Sequence, residues 1–191
     1  MAPLVAARPQ QIQNFILPKI HPVCAINLSA GALSSLSKTS YETLMLDGFE
    51  KCGALQDAAE SLSSMSFNFD DGSFEEVKAN YIKLSDLFRQ LVPAWEECDT
   101  IREALSAEEY QRVDDILRLL AEPGTTDMVR VLKHAFNNWQ NVRSKAEAGR
   151  VQIKRNNCAS AGQIYGRILL DSLEDDTNLL RVVMGRTHEL V

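Results

Sequence analysis

The chain has 191 residues, a formal net charge of −6, and 45% apolar against 24% charged residues. That balance excludes general disorder, because a disordered chain lacks the apolar residues needed to offset the entropy of ordering. With Gly at 9 and Pro at 6, collagen-like and low-complexity classes are excluded too, and no run of about 20 apolar residues is present to cross a bilayer as a helix.

Residues 1–21 read as a Pro-rich, loosely docked leader, with residues 22–191 as one domain. Pro3, Pro9 and Pro18 punctuate the leader, Arg8 is the one charge among residues 1–11, and no acid precedes Glu42. The stretch Ile12 to Leu17 is too short for the apolar region of a secretory signal and is cut by Pro18. Cytoplasmic residence is therefore expected, although the acid-poor leader leaves an organelle or export signal open.

From Pro22 to Ser37, Val23, Ile26, Ala30 and Leu33 fall at helical spacing, and Ile20 to Ser37 carries no charge apart from His21. Thr39 to Glu42 reads as a capping box opening a six-turn helix striped by Tyr41, Met45, Gly48, Cys52, Leu55, Ala59 and Leu62. Residues 66–72 form a turn by composition. A second box, Ser73 to Glu76, starts a stripe from Phe74 to Leu91 that ends at Pro93, and Pro93 opens a helix bearing Trp95, Cys98, Ile101 and Leu105. A third box, Ser106 to Glu109, starts Tyr110, Val113, Ile116, Leu117 and Leu120, stopped at Pro123 and Gly124.

Met128, Leu132, Ala135, Trp139, Val142, Ala146, Gly149 and Ile153 then alternate steps of four and three, which predicts one long heptad-patterned helix with a coiled-coil-like seam. After Asn156 and Asn157 the phase resets to Ile164, Ile168, Leu169, Leu173, Leu180 and Val183. No segment alternates apolar and polar residues as a strand would. The fold class is all-α, a single bundle of five to seven helices joined by short turns.

The four cysteines, Cys24, Cys52, Cys98 and Cys158, show no CxxC spacing, so no zinc or other metal is expected. A chain of this length buries a sufficient core without staples, so the favoured reading is reduced, mostly buried thiols, with one or two bridges as the alternative. No phosphate loop, nucleophile elbow or HExxH occurs, and the three histidines are His21, His134 and His188. No cofactor is expected, and the protein reads as a non-enzyme. A rival enzyme reading needs a site assembled from distant helices, with His134 or His188 beside Cys158 or several acids. The acid pairs suit helix starts and solvated faces. Asp70 to Gly72 fails as a calcium loop, because its twelfth position is Tyr81.

Charge is unevenly placed. Residues 42–111 hold 16 acids against 5 bases, whereas residues 128–170 hold eight bases against Glu147 alone. The plain reading lets the basic helix lie beside the acidic half of its own chain. Arg143, Arg150 and Lys154 flank one edge of the seam, Lys145 the other, and Trp139 lies within it. Such spread charge makes no groove-reading face, and nucleic acid is not expected as a partner. The functional expectation is a protein-interaction module, an adaptor, scaffold or self-assembling bundle. It would meet a protein partner or a second copy of itself through the seam, with Arg143, Arg150, Lys154 and Trp139 as interaction candidates. Ranked behind it is a membrane-perturbing protein that releases the charge-free segment 20–37.

Overall fold

In a computed structural model, the chain is described over residues 20–67, 73–122 and 125–174. Residues 1–19 of the expected leader, Asp70 to Gly72, Leu180, Val183 and His188, and the stop at Pro123 and Gly124 lie outside the described residues. Those residues contain nine α-helices and no strand. The count exceeds the expected five to seven because two expected long helices are each broken in two.

Helix α1 (Pro22–Ser37) starts where the sequence predicts, with the His21 ring accepting from the Val23 amide at 3.4 Å. It ends at Lys38, whose φ of 58° is left-handed. Eleven of its sixteen residues are buried, so the lack of charge in this segment follows from its central place in the core. Its partner is α9 (Cys158–Glu174), which lies parallel to it. Cys24 meets Cys158, Leu28 meets Gly162 and Ala32 meets Gly166, each pair 134 positions apart. A Cβ on Gly162 would stand 2.1 Å from the Leu28 carbonyl oxygen, and one on Gly166 2.5 Å from that of Ala32. The two backbones touch, and only glycine permits that approach. Cys24 and Cys158 form a disulfide between the first turns of the two helices, which corrects the expectation of four reduced thiols. The reason is spatial: parallel pairing sets the two Cα atoms 5.3 Å apart, within disulfide reach, whatever their separation in sequence. Cys52 and Cys98 are free and buried, as expected.

The predicted six-turn helix from Tyr41 is instead α2 (Tyr41–Thr43), a π-helical turn (Leu44–Phe49) and α3 (Gly53–Glu60), closed by a 3₁₀ turn (Ser61–Ser64). Its N-cap is Ser40 rather than Thr39. Cys52 is extended (φ −119°, ψ 100°) and breaks the run. Gln56 donates from Nε2 to the Glu50 carbonyl at 3.1 Å and also to that of Phe49, satisfying acceptors the break sets free.

Helix α4 (Phe74–Glu96) is capped by Ser73 as predicted, but it runs through Pro93 instead of ending there. The missing N–H orphans the Arg89 carbonyl on the exposed side, where water can serve it, and Glu97 resumes bonding to the Pro93 carbonyl at 3.0 Å. Beyond it are α5 (Asp99–Ala104) and α6 (Ala107–Ala121). The box at Ser106 is complete, Ser106 and Glu109 each bonding the other's backbone. Ser106→Ala is expected to lower stability by about 1 kcal/mol, read as a shift in the denaturation midpoint with unchanged slope. Hydrogen bonds from Ser106 hold the Glu109 carboxyl below its ordinary pKa, so this contribution is present above the unfolded carboxylate pKa and is lost as pH falls through the lowered one.

The long heptad helix is not continuous: it divides into α7 (Thr125–Asn137) and α8 (Trp139–Lys154). At the junction Asn138 (φ −105°, ψ 22°) leaves helical geometry, and its backbone N–H and side-chain amide both donate to the His134 carbonyl, at 2.9 and 3.1 Å. Helix α7 then packs on α4, and α8 forms an antiparallel hairpin with α9. Asn156, at a left-handed φ of 58°, lies in the α8–α9 turn. The seam is thus shared between two neighbours inside the molecule.

Candidate apolar cavity

The core is in two parts. The larger surrounds α1, α3, α4 and α6, with Trp95 fully buried and stacked on Tyr110 at 5.1 Å. The smaller comprises Val77, Tyr81 and Leu132, between α4 and α7. They do not merge. Between them is an apolar cavity of about 170 Å³ that is partly open to solvent. Helix α1 contributes Leu28, Ser29 and Leu33 to its wall, α4 Asn80, Tyr81 and Leu84, and α7 to α9 contribute Leu132, Ala135, Trp139, Val142, Ala146 and Tyr165. Ala135, Val142 and Trp139 line this space and are half-buried, in keeping with its opening to solvent. Small seam residues explain the space: where larger side chains would fill the gap, Ala135 and Ala146 leave it open.

No Asp, Glu, Lys, Arg, His or Cys is among the described residues that line the cavity. Its polar groups are hydroxyls, an amide and an indole. Tyr165 donates from its phenol to the Ala146 carbonyl at 3.2 Å. Burial pushes that phenol well above its ordinary pKa. With a raised folded pKa, the stabilisation is complete below the unfolded value near 10 and is lost as pH rises beyond it. Tyr165→Phe is expected to flatten the loss of stability above about pH 10, measured by denaturant midpoints across roughly pH 8–11.5. An unchanged alkaline limb would contradict this assignment. Ser29 behaves differently from the other buried serines. Ser34, Ser37 and Ser85 donate to the carbonyls of Gly31, Leu33 and Ala121 at 2.9, 2.6 and 2.9 Å, whereas the Ser29 hydroxyl has no partner.

Of the four interaction candidates, Trp139 lines the cavity as part of the interior. Arg143, Arg150 and Lys154 do share one side of α8, but not as a free basic edge. Glu147 lies among them, its carboxyl held below the ordinary range by the Arg150 hydrogen bond, with the positive fields of Arg150, Lys154 and Arg143 adding to it. Arg150 bonds it from Nε at 2.9 Å. Lys145, on the other edge, pairs with Asp171 of α9. These pairs stay within the α8–α9 hairpin and do not reach the acidic half.

For the enzyme alternative, Cys158 is committed to the disulfide and His134 bonds Asn138 on the α7–α8 junction. Among the described residues no group of three or more His, Cys, Asp or Glu could hold a metal ion. No described helix is long and apolar enough to cross a membrane. Ser29 and Tyr165 were not candidates in the sequence. Their signal, a serine in a charge-free helix and a tyrosine two turns into the last one, is shared by countless core positions. Comparison with family models, curated proteins and solved structures finds no match.

Proposed function

We propose that this chain is a non-enzymatic binding protein whose site is the cavity, and that it takes up a small apolar molecule. The cavity itself carries this reading. It offers about 170 Å³ of apolar space, partly open to solvent and lined by aliphatic and aromatic side chains. Natural cores leave few voids larger than a water molecule, and an occupant would recover the lost contacts. Cavities of about 150 Å³ lined by aliphatic and aromatic groups stay dry and accept benzene-sized molecules. The disulfide supports residence in an oxidising compartment over the cytoplasm.

The test is a thermal shift with toluene. At ten times its Kd a ligand of the folded state adds about 1.4 kcal/mol, a rise of about 3–6 °C for a chain this size. Ala135→Phe, which fills the cavity from α7, is expected to raise the unligated Tm by about 2–4 °C and to abolish the toluene response. A toluene shift that survives the filling substitution would place the ligand elsewhere and overturn the reading.

Exposed apolar side chains on α4 and α7 favour a second reading, the protein-interaction module. Phe74, Ile82, Val129 and Phe136 are 43–53% exposed, and the Phe74 and Phe136 rings meet edge to face at 6.2 Å. Light scattering on the wild type and on Phe136→Glu tests it for self-association: an oligomer dissolved by the charge supports it, and a monomer in both excludes homo-oligomerisation.

A further inference from the structure

Resting on the cavity-binding reading, we infer that the occupant is an anionic amphiphile, a small hydrocarbon body with one carboxylate, and that Arg143 holds its acid group at the opening of the cavity. Two observations carry this. The first is the place of Arg143 on α8. Trp139, Val142, Ala146 and Ile153 line the cavity as one stripe of that helix. Trp139 and Val142 are half-buried, which gives the space a way out to solvent beside the start of α8. Residues three and four apart are neighbours on a helix surface, so Arg143 borders both Trp139 and Ala146, as Arg150 borders Ala146 and Ile153. This edge acts on the cavity wall, because the charges of Glu147 and Arg150 are felt by the Tyr165 phenol that forms part of it.

The second observation is which of the bases on α8 are already engaged. Arg150 bonds Glu147 from Nε at 2.9 Å, and Lys145 pairs with Asp171. Lys154 is exposed and lies eleven residues beyond Arg143, about 16 Å along the helix axis, too far to share one small acid group. Arg143 is half-buried and makes no hydrogen bond or ion pair with a described residue. A partly desolvated guanidinium without a counter-ion gains from an anion beside it, and its planar fork matches a carboxylate with two parallel N–H donors. One unpaired positive charge balances one carboxylate. A phosphate monoester would bring nearly two negative charges beside Glu147, whose own carboxyl is held ionised by the Arg150 hydrogen bond. The apolar wall takes the hydrocarbon body while the acid group stays in water at the opening, so no ion is buried unpaired.

The experiment compares hexanoate with 1-hexanol, equal chains that differ in the charge of the head, at about pH 7, where the carboxylate is ionised. Kd is read by NMR titration at low salt on the wild type, Arg143→Gln and Arg155→Gln, with the Tm of each variant checking its fold. Arg155 is exposed on the side of α8 opposite the cavity-lining stripe, so its loss removes the same charge away from the opening. The expected result is hexanoate binding weakened about three- to tenfold by Arg143→Gln and unchanged by Arg155→Gln, with hexanol binding within about twofold throughout. Added salt should weaken hexanoate binding to the wild type and spare hexanol. Equal losses for both probes, equal losses in both variants, or hexanol binding without hexanoate binding would overturn the anionic assignment and leave the apolar-binding reading in place. Failure of both probes to bind the wild type would overturn the two together.

Discussion

Removing the disulfide with Cys24→Ala and Cys158→Ala together is expected to lower the unfolding free energy by about 4–5 kcal/mol. The bond closes a loop across a sequence separation of 134, and the loop-entropy relation puts its effect on the unfolded chain near the top of the usual range. At about 2–4 °C per kcal/mol, the Tm should fall by roughly 10–20 °C. Alanine is the replacement used because both cysteines are buried and a methyl group adds no polar atom there. Native protein should release two reactive thiols on unfolding without reductant and four with it. A double variant as stable as the wild type, or four thiols without reductant, would remove the staple from the description of the fold.

The second large effect is expected at Gly162. Glycine to alanine inside an exposed helix ordinarily gains about 1 kcal/mol. Here the added Cβ would stand 2.1 Å from the Leu28 carbonyl oxygen and 2.9 Å from the Ala32 nitrogen, both backbone atoms. No side-chain rotation relieves that contact, so α1 and α9 must separate or shift along their whole interface. Gly162→Ala is expected to cost about 3 kcal/mol or more, with a Tm lower by at least about 6 °C. Gly53 is the control, because a Cβ there meets nothing within 4 Å, and Gly53→Ala should be neutral or slightly stabilising. If Gly162→Ala were stabilising, the close parallel pairing would be wrong.

Helical class was legible because each signal for it is local. The caps at Ser73 and Ser106 and the bounds of α1 depend on neighbours within one or two turns, and they stand where their residues predict. Continuity was less legible. A heptad reports which residues share a face, and that pattern survives a break such as Asn138, where the chain turns and then resumes helical bonding. In the same way the stripe from Tyr41 to Leu62 gave no warning of the extended Cys52. The basic edge was half legible: Arg143, Arg150 and Lys154 do share a side, but Glu147, counted only as a lone acid, turned out to stand among them. The disulfide and the cavity were not legible at all. Cysteines 134 positions apart say nothing of distance until α1 and α9 are known to run parallel. An unfilled volume belongs to several helices at once and to no single stretch of sequence. The charge-free segment shows the reverse case, because burial against a helix and burial in a membrane remove charge from a sequence in the same way.

Calorimetric titration of toluene into the wild type and Ala135→Phe at two or more temperatures tests the cavity-binding proposal most directly. The expected result is one site per chain in the wild type, with a negative heat-capacity change from burial of the ring, and no measurable binding once the introduced phenyl group occupies the space. Absence of binding to the wild type, or equal affinity for both proteins, would contradict it.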